Sequence, residues 1–376
     1  MLKLKGGYAF KSEKFQDSGV PVVRISNLPQ NSYSVDLSDC VYYECGNYQN
    51  YTVKNGDLLI AMSGATTGKT AIYRYDYPAY LNQRVGLFAP KELVHNQFLY
   101  PIVESKTFIS QLGSKLVAGA QPNISSQDIE TIAVGLPSKE EQIKIAHLFE
   151  LLNQKIETQS KIIEELKTLR GALNESLYCC CESYQELSFN DVGVSYSGLS
   201  GKSGNDFGSG YPFIPYTNIF TNNIIDEGQL EYVQVREDES QNSVCFGDLL
   251  MTLSSETPEE VGIGAVYLAH ESPLYLNSFA FGIHITRTDL VYPPYLSWLV
   301  STKRFRKFIL PYAQGSTRYN LQKTDFLKAK YRFPPLGRQK AISVLLSGYS
   351  SKIENEERVL NKYTALKQGL IEQLFI

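Results

Sequence analysis

Ser63-Gly64-Ala65-Thr66-Thr67-Gly68-Lys69-Thr70 is the first stretch whose residue types suggest chemistry. Gly-Lys-Thr after a strand would suit a phosphate held at a helix N-terminus, but such a loop needs glycine at its first position and a helix behind it. Ser63 holds that first position, and Ala71-Ile72-Tyr73-Arg74-Tyr75 reads as a strand. Nucleotide hydrolysis is therefore set aside. Lys69 is left on a glycine-rich turn, either as a plain β-turn residue or as a contact to a nucleic-acid phosphate. Asn82-Gln83-Arg84 after a strand, Gln121-Pro122-Asn123 and Arg318-Tyr319-Asn320 offer side chains that suit base edges, arginine for guanine and asparagine or glutamine for adenine. Between residues 295 and 332 the basic residues Lys303, Arg304, Arg306, Lys307, Arg318, Lys323, Lys328, Lys330 and Arg332 face a single acid, Asp325. This is either a nucleic-acid footprint on an otherwise acidic segment or a solvated helix face.

Metal and catalytic signatures are missing from the pattern. Cys179, Cys180 and Cys181 are adjacent, Cys40, Cys45 and Cys245 lack zinc spacing, and His95, His147, His270 and His284 form no helical pair. No metal and no cofactor is expected. Methyltransferase, kinase, nucleophile-elbow and nuclease signatures are absent as well, so the chain is expected not to be an enzyme.

The elements that must position these residues come in two copies. In a chain of 376 residues with net charge −3, Val53-Lys54-Asn55-Gly56-Asp57-Leu58-Leu59-Ile60 recurs 191 positions later as Val244-Cys245-Phe246-Gly247-Asp248-Leu249-Leu250-Met251. The offset grows to 195 at Tyr80-Leu81-Asn82 and to 197 at Asn123/Asn320, as insertions in surface loops would cause. Residues 137–177 match 334–374 without a gap, with 11 identities in 41 positions. Each copy is a β-rich block, with strands such as Val20 to Ile25, Leu58 to Met62 and Ala71 to Tyr75. A shorter helix is expected in each, from about Gln97 to Leu116 and from about Pro294 to Ile309. A long helix closes each copy.

The first long helix opens on the capping box Ser138-Lys139-Glu140-Glu141 behind Pro137, the second at Pro335. Ile145, Phe149, Leu152, Ile156, Ile163, Leu166, Leu173 and Leu177 follow 3/4 spacing, and so do Ile342, Leu346, Tyr349, Ile353, Leu360, Tyr363, Leu370 and Leu374. Such seams predict paired coiled-coil helices, with one amphipathic helix in each of two globular cores as the alternative. Gln159 and Glu356, then Arg170 and Lys367, interrupt the seams at equivalent places. About 40 residues at about 1.5 Å each would make a rod on the order of 60 Å. The expected class is α+β: two mixed α/β blocks, 1–137 and 181–335, separated by helices 138–180 and 336–376. No run is apolar enough to span a bilayer and the start lacks a signal-peptide core, so no membrane and a cytoplasmic location are expected.

Three pieces, in this order and with this repetition, carry a resemblance: Gly7-Tyr8-Ala9-Phe10-Lys11-Ser12 running into Val20-Pro21-Val22-Val23-Arg24-Ile25-Ser26-Asn27-Leu28; Gly56-Asp57-Leu58-Leu59-Ile60-Ala61-Met62-Ser63-Gly64; and Leu136-Pro137-Ser138-Lys139-Glu140-Glu141-Gln142. The chain resembles the specificity subunits (HsdS) of type I restriction-modification systems along nearly its whole length. That resemblance implies two target recognition domains, each reading half of a bipartite double-stranded DNA site, and two long antiparallel helices that act as spacer and docking surface. It implies two modification (HsdM) subunits and restriction (HsdR) subunits as partners. One departure is visible: the second copy carries Leu187 to Ser197 ahead of Gly198, whereas the first begins almost at Gly6-Gly7. A tandem-repeat scaffold binding protein or glycan through its β blocks is the alternative function.

Overall fold

The computed structural model describes residues 2–29, 33–116, 123–181 and 183–375, and divides into two units, Met1–Ile163 with Glu356–Ile376 and Glu164–Asn355. The division falls inside both long helices, Lys139–Cys179 and Leu336–Leu374. Each unit therefore holds one β-rich block and a portion of both helices.

In the first unit the strand Leu58–Ala61 lies between Val85–Pro90 and Thr70–Ile72, and Leu2–Gly6 closes the antiparallel sheet beyond Val85–Pro90. Alternate side chains of a strand point to opposite faces, and here both faces are covered. Leu58 and Ile60 join the core formed with Phe98, Leu99, Ile102 and Phe108, while Leu59 and Ala61 join a second core with Val23, Leu81 and Val85. This explains the unbroken apolar run. The second sheet runs Val41–Tyr43, Val20–Val23, Ala79–Leu81, Thr52–Val53, with the central pair parallel.

The second unit repeats the plan. Gly193–Ser197, Ala280–Ile285, Leu249–Thr252 and Gly264–Val266 form the antiparallel sheet, and Phe207–Ile214 pairs in parallel with Tyr275–Leu276. Equivalent backbone details recur. Gly7 and Gly198 press against the backbone of Asn82 and Asn277, where an added Cβ would lie 2.1 Å from a carbonyl oxygen in each case. No other residue fits there.

The short helices differ from expectation, since each is broken in two: Leu99–Val103 and Lys106–Leu116 in one unit, Pro293–Leu299 and Lys303–Ile309 in the other. The break falls at Ser105 and Thr302, whose hydroxyls accept from the N–H groups of Phe108 (3.2 Å) and Phe305 (3.1 Å) and so start a new helix. The glycine-rich turn leads into a strand and not a helix, as read, but that strand ends at Ile72 rather than at Tyr75. Gly-Lys-Thr leads into the strand Thr70–Ile72, and Gly68 (φ +87) packs on Leu112 as Gly262 (φ +66) packs on Ile309.

Pro137 and Gln142 recur as Pro334 and Gln339 because they fasten each helix to its own block. The buried Gln142 accepts from the His95 N–H and donates to the carbonyls of Leu93 and Pro137; Gln339 does the same with Tyr292, Leu290 and Pro334. Ser138 and Glu141 form the expected box. The two helices run antiparallel within each unit. Phe149 meets Phe375 and Gln159 Nε2 donates to Glu356 Oε2 at 2.5 Å in the first, while Arg170 donates to Ser350 Oγ at 2.7 Å in the second. Repeat-equivalent residues 159 and 356 thus bond to each other.

Phe149, Leu152, Ile156, Ile163, Ile342, Leu346 and Ile353 are buried, and Ile145, Leu166, Leu173, Leu177, Tyr349, Leu360, Tyr363 and Leu370 are half-buried; Leu374 is exposed while Ile371 beside it is buried. The second pair of polar interruptions serves the blocks. Lys367 Nζ lies 2.6 Å from Glu104 and 3.4 Å over Tyr33, and Arg170 lies over Trp298 at 5.8 Å.

Candidate nucleic-acid interface

Three loop segments of the first unit are knitted together by backbone hydrogen bonds. The Met62 N–H donates to the Arg84 carbonyl (2.9 Å), the Ile124 N–H donates to the Met62 carbonyl (2.9 Å), and Ser63 and Asn123 form an antiparallel bridge. The result is an open depression lined by Ser63, Gly64, Ala65, Gln83, Arg84 and Asn123. Gln83, Arg84 and Asn123 are exposed, so three polar residues expected to meet DNA converge on one face.

The second unit knits the equivalent segments in the same way. The Leu253 N–H donates to the Phe279 carbonyl (2.9 Å), the Leu321 N–H donates to the Leu253 carbonyl (2.8 Å), and Ser254 pairs with Asn320. Its side chains are different. Phe279 stands 54% exposed where the first unit has Arg84, and the Arg318 guanidinium covers it at 5.7 Å. An exposed aromatic under an arginine is a stacking and hydrogen-bonding surface. Sequence reading found Arg318 and Asn320 but missed Phe279, because only the repeat offset of 195 would have placed it opposite Arg84.

The remaining expected residues lie elsewhere. Asn82 is half-buried at the chain crossing below Gly7, and Lys69 is half-buried at the end of the glycine turn, outside the lining of the depression. Gln121 lies outside the described residues. Lys323 lies 4.8 Å over the Phe281 ring, and burial lowers its pKa.

The helix Lys303–Ile309 divides its basic residues. Lys303, Arg304 and Lys307 are exposed; the Lys303 N–H donates to Glu175, and Arg304 lies 5.0 Å over Tyr178. Arg306 turns inward and donates to the carbonyls of Gly262 (2.7 Å), Glu259 (2.8 Å) and Val261. Its guanidinium holds a loop, and burial lowers its pKa.

One grouping of metal-ligand types occurs among the described residues, Cys245, Asp248 and His284. Asp248 is fully buried, accepts from the Tyr196 hydroxyl (2.5 Å) and the Cys245 N–H (2.9 Å), and meets His284 Nδ1 at 2.7 Å. Its oxygens are already engaged in a hydrogen-bond network that caps the Gly247 turn.

Residues 1–168 match the family model described as type I restriction modification DNA specificity domain. The specificity-subunit resemblance holds. The type I restriction enzyme MjaVIII specificity subunit of Methanocaldococcus jannaschii is 28% identical over 173 residues, 44% of this chain and 41% of that one. The EcoAI specificity subunit of Escherichia coli is 31% identical over 173 residues, 44% of this chain and 28% of that one. The matches thus span less than half the length of these HsdS relatives. The fold agrees along the whole chain: the S subunit from M. genitalium superposes with a TM-score of 0.60 at 14% identity, covering 100% of this chain and 94% of that one. A chain from a structure of type I R-M system assembly and conformational transition gives 0.57 at 14%, covering 98% and 96%. No helix among the described residues is long and apolar enough to cross a membrane.

Proposed function

We propose that the chain is a non-catalytic DNA-specificity subunit whose blocks, residues 1–137 and 181–335, each read one half of a bipartite double-stranded target. The observation that carries this reading is the pair of equivalent faces: one backbone scaffold bears Gln83, Arg84 and Asn123 in one unit and Phe279, Arg318 and Asn320 in the other. Identical scaffolds with different side chains suit two different half-sites read by base contacts. Lys303, Arg304 and Lys307 supply phosphate contacts that carry no sequence information.

The helices 138–180 and 336–376 space the blocks and receive two modification subunits, through which restriction subunits join. The seam residues act by holding the helices together, since their side chains are mostly covered. An outer stripe is free for partners: Leu148, Ile162 and Leu169 on the first helix and their equivalents Leu345, Val359 and Leu366 on the second are all exposed. The test of the reading is binding to the cognate duplex across salt concentrations. Affinity is expected to fall steeply and linearly on a log–log plot, and Arg84→Ala is expected to weaken one half-site by about 1–3 kcal/mol. A salt-independent affinity would instead identify a protein- or glycan-binding scaffold.

A further inference from the structure

The turn that opens the strand Leu58–Ala61 recurs ahead of Leu249–Thr252, but the two carry different neighbours. Asp57 accepts from the Lys54 N–H (2.8 Å) and Asp248 from the Cys245 N–H (2.9 Å), so an aspartate caps the turn in each block. In the first block Asp57 is half-buried; burial pushes its pKa up, and the charges of Lys54 and Lys5 oppose that effect. Asp248 is buried completely, and the repeat offset of 191 puts Cys245 and Tyr196 where those two lysines stand. Among the described residues no lysine or arginine pairs with Asp248; its partners are Tyr196, the Cys245 N–H and His284. A buried carboxylate without a cation is costly.

A third difference meets the same point. At offset 195, Ala89 of the first block corresponds to His284, whose Nδ1 lies 2.7 Å from Asp248 Oδ1. One ligand atom from each of Cys245, Asp248 and His284 lies within 4.8 Å of the others. The Tyr196 hydroxyl and the Cys245 N–H both donate to Oδ2, whereas Oδ1 meets only the imidazole. Cys245 is exposed and the His284 side chain is 48% exposed, so the trio opens to solvent on one side of a buried carboxylate. The first block keeps the capped turn with neither residue, so capping alone does not require a cysteine and a histidine here.

We propose that Cys245, Asp248 and His284 bind one divalent cation of the zinc class, which supplies in the second block the positive charge that lysines supply in the first. One sulfur, one imidazole nitrogen and one carboxylate oxygen suit zinc, with water in the fourth position. On binding, the Cys245 S–H bond breaks as the sulfur–metal bond forms, and that proton, with the one shared between His284 Nδ1 and Asp248 Oδ1, passes to solvent. Ligand bonds of about 2.0–2.3 Å require the Nδ1–Oδ1 pair to open by about half an ångström, which the exposed imidazole permits. The two donors on Oδ2 orient the carboxylate for this role, as hydrogen bonds behind a metal ligand do. The cation would tie the turn at 245–248 to the strand Ala280–Ile285.

The test strips the full-length protein with a chelator and titrates it with zinc by calorimetry and with cobalt by absorption. One equivalent is expected to bind, with a thiolate-to-cobalt charge-transfer band and the strong visible bands of a tetrahedral ion. Cys245→Ser and His284→Ala each remove that equivalent or weaken it at least about tenfold. Both positions are exposed, so the chelated variants are expected to melt with the chelated natural protein, which keeps a lost site distinct from a lost fold. Cys179→Ser with Cys180→Ser, outside the trio, leaves the equivalent in place. Saturating zinc raises the melting temperature of the natural protein by at least about 2–4 °C and leaves both site variants unmoved. No binding, binding that survives Cys245→Ser and His284→Ala, or binding lost with Cys179 and Cys180 would overturn the site.

Discussion

Arg306 and its neighbours show how one basic run holds two kinds of residue. Helical spacing turns the Arg306 side chain toward the loop 259–262, where three carbonyls accept from it, while Lys303 and Lys307 point to solvent. Arg306→Ala is therefore expected to cost about 1–3 kcal/mol of stability by leaving part-buried carbonyls unpaired, read as a lowered denaturation midpoint. Lys303→Glu with Lys307→Glu should leave that midpoint in place, weaken binding to all DNA sequences alike, and reduce the salt slope by about one per lost phosphate contact. An unchanged slope would make these lysines a solvated face only. Composition and spacing revealed the run but not its division, because the loop that claims Arg306 lies more than forty positions away in sequence. His284 and Asp248 were missed for the same reason: neither spacing nor neighbours link them.

At the scale of elements the sequence was most informative where the structure is periodic. The long helices, the capping box at Ser138 and the matching interruptions were all legible, since 3/4 spacing and capping chemistry are local properties. The breaks at Ser105 and Thr302 were not, because a hydroxyl inside an apolar helical stretch is compatible with either a continuous helix or a new cap. Arg74 ties the first block to its helix through a bidentate pair with Glu150 (2.8 and 2.9 Å). Burial raises the Glu150 pKa, but Arg74 overcomes it and holds the carboxyl below the ordinary range. A lowered folded-state value contributes stability above the unfolded pKa and loses it as pH falls through the folded one. The natural protein should thus lose more stability below about pH 4.3 than Glu150→Gln does, as thermal unfolding across pH would register; parallel profiles would remove the tether from the account. Leu166→Asp with Leu173→Asp should loosen the helix pair and with it the capture of modification subunits. Leu148→Ser with Ile162→Ser and Leu169→Ser should leave the helices paired yet still lose the partner. Native mass spectrometry separates the two, and an intact complex with the second variant would contradict docking on the outer stripe.

The whole molecule is a duplicated unit of β-rich block and long helix, and its duplication was legible in the sequence through the Gly-Asp turns at 56–57 and 247–248 and the gap-free helix match. The face that each copy is proposed to present to DNA was only partly legible, because a face made of three loop segments is defined by backbone bonds such as Met62 to Arg84 and Leu253 to Phe279. The central claim is that the two faces read independently. Its most direct test replaces residues 181–335 with the corresponding block of a relative and maps the methylated sites in the host genome with the modification subunits present. One half of the bipartite motif should change while the other half and the spacer length stay fixed. A change in both halves, or a methylation pattern indifferent to the gene, would contradict the account.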